Sequence, residues 1–102
     1  MSGYFKHPKT DDLSLPRVLH ALGDPVRLRI AQTIYRASKP LTCSEAVENI
    51  DNLAISTRSH CFKLLRESGV LHSDKQGREH YNIIRTEELE EKFPGLIQSI
   101  LS

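Results

Sequence analysis

Ser56, Thr57, Ser59, His60 and Lys63 are the side chains whose types and spacing suggest chemistry, and that chemistry is recognition rather than bond-making. The hydroxyls can donate to phosphate oxygens or base edges, the imidazole adds a donor, and the ammonium adds a mobile positive charge. No carboxylate occurs from Ser56 to Arg66, which is what a surface approaching a polyanion needs. On a helix these positions can face outward together near its start, while Cys61, Phe62, Leu64 and Leu65 supply an apolar side. An ordinary half-buried helix with an acid-free solvent face fits the same residues equally well. The neighbouring segments decide.

A helix is predicted over residues 56–69, because Ser56 or Thr57 offers a hydroxyl cap and Gly69 can take the left-handed turn that ends a helix. Before it, Thr42-Cys-Ser-Glu45 matches a capping box and opens a short helix carrying Ala46, Val47 and Ile50. Residues 51–55 then turn the chain, so the pair reads as a helix-turn-helix. After Gly69 the periodicity becomes that of strands. Residues 70–74 and 79–84 flank Lys75-Gln76-Gly77-Arg78, a hairpin with a basic tip and a glycine where positive φ is needed.

Upstream, apolar residues from Leu13 to Leu22 recur at helical spacing, with Pro16 limiting where that helix begins. Asp24-Pro25 is an N-cap followed by a first helical residue, and the helix it opens runs to about Arg36. Leu41 can form a very short strand. Downstream, Thr86 can cap a helix over 87–92, Phe93-Pro-Gly interrupts it, and Leu96, Ile97, Ile100 and Leu101 close on an apolar stripe. Residues 1–12 are expected to be a loosely held arm. The fold class is therefore mainly α with a small β-hairpin, a winged helix-turn-helix in a single domain over 1–102.

The 102 residues suffice for one modest core, and 38% apolar with 26% charged residues describes neither a disordered nor a membrane chain. No apolar run reaches membrane-spanning length and residues 1–8 lack a signal-peptide core, so the expected location is the cytoplasm. The net charge is only +1, yet it is unevenly placed: residues 56–85 carry six Lys/Arg against three acids, and residues 86–102 carry one Lys against four Glu. That is one face for a polyanion beside an acidic end. Leu13, Leu15, Val18, Leu89, Phe93, Leu96, Ile100 and Leu101 exceed what so small a domain easily hides, and a homodimer joined through the terminal helices would cover them. The candidate interface is Leu15, Val18, Phe93, Leu96 and Ile100.

Four segments resemble the ArsR-like family of small dimeric winged-helix transcriptional repressors. They are Leu19-His-Ala-Leu-Gly-Asp-Pro-Val-Arg-Leu-Arg-Ile30, Ser56-Thr-Arg-Ser-His-Cys-Phe-Lys63, Leu64-Leu-Arg-Glu-Ser-Gly-Val-Leu71, and Gly77-Arg78 with Tyr81. The resemblance runs in order over roughly residues 13 to 101. It implies a repressor that binds double-stranded operator DNA, an inverted repeat, as a homodimer. It implies that Ser56, Thr57, Ser59, His60 and Lys63 enter the major groove, and that Lys75, Gln76 and Arg78 reach a minor groove or the backbone.

The chain departs from the family's metal sensors. Where they carry a Cys-x-Cys pair it has Thr42-Cys43-Ser44, and its last seventeen residues hold no His or Cys. One soft ligand cannot build a tetrahedral thiolate or imidazole set, so no metal and no cofactor are expected. The five histidines, at 7, 20, 60, 72 and 80, read as scattered surface imidazoles. Cys43 and Cys61 form no disulfide framework; each is either a small hydrophobe or a redox-sensing thiol. A winged-helix protein-interaction module is the other class of function open to this fold. No nucleophile–base–acid set or phosphate-cradling glycine loop is present, so no catalysis is expected.

Overall fold

A computed structural model describes residues 5–102 of the chain. After a short 3-10 turn, Thr10–Asp12, the elements are α1 (Leu15–Leu22), α2 (Pro25–Arg36), β1 (Leu41–Thr42), α3 (Cys43–Val47), α4 (Ile55–Glu67), β2 (Leu71–Gln76), β3 (Glu79–Ile84), α5 (Thr86–Lys92) and α6 (Leu96–Ile100). This is a winged helix-turn-helix.

Local chemistry sets most of the boundaries. Asp24 Oδ2 accepts the N–H groups of Val26 and Arg27 at 3.0 Å each, with Pro25 as the first residue of α2. Thr42 and Glu45 close the capping box: the Glu45 N–H donates to Thr42 Oγ1 at 3.1 Å and the Thr42 N–H to Glu45 Oε1 at 2.9 Å. That bond from the Thr42 backbone is the main reason the Glu45 carboxyl titrates below its ordinary range. Gly69, at φ +90°, ends α4 while the Val70 N–H donates to Leu65 O and the Gly69 N–H to Arg66 O. These two bonds are the paired closure of a Schellman motif.

The core is one cluster. Val18, Ala21 and Leu22 of α1 meet Ile30, Ala31 and Ile34 of α2, Phe62 and Leu65 of α4, and Leu71, Leu89, Ile97 and Leu101 from the C-terminal half. The antiparallel sheet has the order β1-β3-β2. Asn82, fully buried on the middle strand, joins all three strands. It accepts the Ser73 hydroxyl at 2.6 Å and donates through Nδ2 to Leu41 O at 3.1 Å.

Several expectations are corrected by the structure. The arm is held from Phe5 onward: the Ser73 N–H donates to His7 Nε2 at 2.9 Å, and buried Arg85 donates to Pro8 O at 2.7 Å. Residues 1–4 of that arm lie outside the described residues. α4 starts at Ile55 with Ala54 as its N-cap and no side-chain cap, so neither Ser56 nor Thr57 plays that part. Thr86 begins α5 rather than capping it. The hairpin strands run on to Gln76 and resume at Glu79, which leaves Gly77-Arg78 as a two-residue turn with Gly77 at φ +64°. Lys75 and Gln76 are thus strand residues, because the two-residue turn lets the ladder continue to the tip. Arg27, unassigned by its sequence context, binds the carbonyls of Ala21 and His20 at the end of α1.

Candidate nucleic-acid interface

The geometry starts from the turn between α3 and α4, where Asn52 takes φ +59°. It delivers α4 with Ser56, Thr57, Ser59, His60 and Lys63 all exposed, while Cys61, Phe62 and Leu65 are buried against the core. At about 100° per residue, Ser56, Ser59, His60 and Lys63 share a single face, and Thr57 sits roughly 60° beyond its edge. The polar face therefore brings four of the five residues together. Because Ala54 caps with backbone alone, the N–H groups of Ile55, Ser56 and Thr57 have no intrahelical acceptor.

Beside α4, the wing closes one side of an open cleft of about 370 Å³, with the start of α3 on another side. Ser59, Arg58 and Arg66 line it from the helix, and Arg78 and His80 from the wing. Arg58, not among the contacts expected from the sequence although it lies inside the acid-free stretch, donates to Ser44 Oγ at 3.1 Å and so ties α4 to α3. Arg66 lies 4.3 Å from the ring centroid of Phe5. Burial lowers its guanidinium pKa, with Cys43 and Glu67 opposing. Lys75, Gln76 and Arg78 are exposed along and at the end of the wing.

Three of the histidines gather instead of scattering. His7 stacks on His72 with centroids 4.3 Å apart, and Phe5 meets His80 edge-on at 4.7 Å. A His72–His80 cross-strand pair does not form, since His72 faces Ile83 and His80 faces Lys75 in the ladder. Among the described residues no group of three or more His, Cys, Asp or Glu is placed to hold a metal.

The thiols divide. Cys61 is only 3% exposed and its burial pushes its pKa up, the opposite of what a reactive thiolate needs. Of the two readings open to Cys61, its burial fits the small core hydrophobe. Cys43 is partly exposed, lines the cleft, and its Sγ accepts Asn82 Nδ2 at 3.5 Å.

The candidate dimer residues divide too. Val18 is wholly buried inside the protomer and cannot meet a partner; Leu13, Leu89 and Leu101 are likewise internal. Leu15 and Leu19, one turn apart on α1, are 40% and 45% exposed. Phe93, Leu96 and Ile100 are partly buried against the core. Gln32 Nε2 donates to Ile100 O at 2.9 Å and fastens α6 to α2.

An exposed polar helix beside a wing with Lys75 and Arg78 near its tip is an arrangement that suits a DNA-binding transcriptional regulator, and relatives are such regulators. The uncharacterized HTH-type transcriptional regulator YceK of Bacillus subtilis (strain 168) is 33% identical over 92 residues, 90% of this chain and 91% of that protein. A crystal structure of an ArsR family transcriptional regulator superposes with a TM-score of 0.67 at 24% identity, covering 92% of each chain. Reduced HlyU from Vibrio cholerae N16961 gives 0.61 at 20% identity over 78% of this chain and 87% of its own. No family model matches the chain. The chain belongs to the HTH-type transcriptional regulators, a family of regulators rather than enzymes, and its fold is that of the ArsR-like winged-helix proteins. Among the described residues no helix is long and apolar enough to cross a membrane.

Proposed function

We propose that the protein is a cytoplasmic homodimeric repressor that binds an inverted-repeat operator through α4 and the wing. The observation that carries this reading is the exposed face of α4 that unites Ser56, Ser59, His60 and Lys63, in a stretch free of carboxylates until Glu67 at the far end of the helix. A 13-residue helix is about 20 Å long, and one of that size fits a major groove about 12 Å wide. Lys63 neutralises phosphate, while Ser56, Ser59 and His60 meet base edges and Thr57 meets the adjoining backbone. Lys75, Gln76 and Arg78 follow the neighbouring minor groove or backbone from the wing.

A dimer formed through Leu15 and Leu19 of α1, with Phe93, Leu96 and Ile100, sets two copies of α4 about one helical turn of DNA apart. Repression follows if such a complex occupies the path of the polymerase. The test is selection of genomic fragments bound by the purified protein at physiological salt. An enriched inverted repeat with half-sites one turn apart is expected. Binding without any enriched sequence, or none, shifts the reading to a protein-docking winged helix.

A further inference from the structure

Among the described residues the most exposed large apolar side chain is Ile55, at 79%, and it is the first residue of α4. A single exposed isoleucine is ordinary on a protein surface, but its place on this one is not. The N-terminal residues of a helix lying in the major groove are those that reach base edges. At about 100° per residue, Ile55 lies about 40° beyond Ser59, at the edge of the polar face of α4. Leu15 and Leu19, also exposed, stand on α1 and belong to the apolar face assigned above to dimerisation.

We infer that Ile55 reads the 5-methyl group of thymine, adding an apolar specificity contact to the polar contacts of α4. This rests on the DNA-binding reading proposed above. Isoleucine can neither donate nor accept a hydrogen bond, and the thymine methyl is the apolar feature a base pair displays in the major groove. A β-branched side chain at a helix start has few rotamers, so its methyls are pre-positioned and little entropy is lost on contact. Ile55 is a specificity residue under this reading, beside hydroxyls and an imidazole that supply hydrogen bonds.

The experiment uses the full chain and the duplex it selects, with each thymine replaced in turn by uracil, which differs only in lacking that methyl. Wild-type protein is expected to bind about four-fold more weakly when one particular thymine is replaced, the effect of one buried methyl. Ile55→Ala, at a position so exposed that folding is unaffected, is expected to bind thymine and uracil duplexes alike. Circular dichroism and retained affinity for random-sequence DNA check that the variant is folded. If uracil at every position leaves wild-type affinity unchanged, or if Ile55→Ala still discriminates, the inference falls while the DNA-binding reading stands. If no duplex is selected at all, both fall together.

Discussion

The backbone N–H of Ser73 donates to His7 Nε2 at 2.9 Å, so the arm before α1 is pinned to the wing by an imidazole that must be neutral at that nitrogen. Burial, then the charges of His72, Arg85 and Arg66, hold His7 below its ordinary value of 6.5, with Asp74 opposing. His80, next to Phe5, is lowered chiefly by burial as well. The unfolded chain therefore binds more protons than the native one between the lowered values and 6.5. Stability should be full above pH 6.5 and decline as pH falls through the lowered values. Thermal unfolding at pH 7.5 and 5.5 checks this, and His7→Gln, which keeps an acceptor at all pH, should decline less. A Tm independent of pH over that range would contradict the latch. His7→Ala should cost about 1 kcal/mol, or roughly 5 °C in Tm for a domain of this size.

Asn82→Leu should be among the more damaging single changes. It strands the buried Ser73 hydroxyl and the Leu41 carbonyl, whose partners are the Asn82 amide. A loss of about 2 kcal/mol is expected, read as a drop of about 1 M in the urea midpoint. An unchanged midpoint would show that the three strands are held by ladder and packing alone.

On DNA, Lys63→Ala and His60→Ala should separate. Losing Lys63 should weaken binding to every sequence and reduce the salt slope by about 1. His60→Ala should narrow the gap between selected and random duplexes while leaving random-sequence affinity in place. Equal losses on both duplexes for His60→Ala would move that residue from base to backbone contact.

Oligomerisation offers a paired test on α1. Leu15→Glu changes a side chain that is 40% exposed, so it should yield a folded monomer by light scattering. Val18→Glu would bury a charge in the core, and should unfold the protein instead. An intact Leu15→Glu dimer would place the interface elsewhere.

The sequence by itself determined the features that depend on a few adjacent residues. Asp24 before Pro25, the Thr42–Glu45 box, Gly69 and Gly77 each satisfy or redirect backbone groups within one turn, so their chemistry is legible from spacing alone. The polar face of α4 was legible for the same reason, since helical periodicity sorts residues onto faces before any tertiary contact forms. Those periodicities also placed the order helix, helix, helix-turn-helix, hairpin.

What the tertiary structure decided lies at long sequence separation. His7 meets Ser73 and Arg85 meets Pro8 across most of the chain, so the arm looked free when its partners were out of view. Asn82 looks like any polar strand residue until β1 is laid against β3, when it becomes the buried joint of the sheet. Val18 and Leu15 are equally apolar and lie on one short helix, yet one is sealed inside and the other exposed. Cys61 owes its raised pKa to the core closing over it. Local patterns are set by backbone hydrogen bonding within a turn; burial and long-range pairing exist only once the elements have packed.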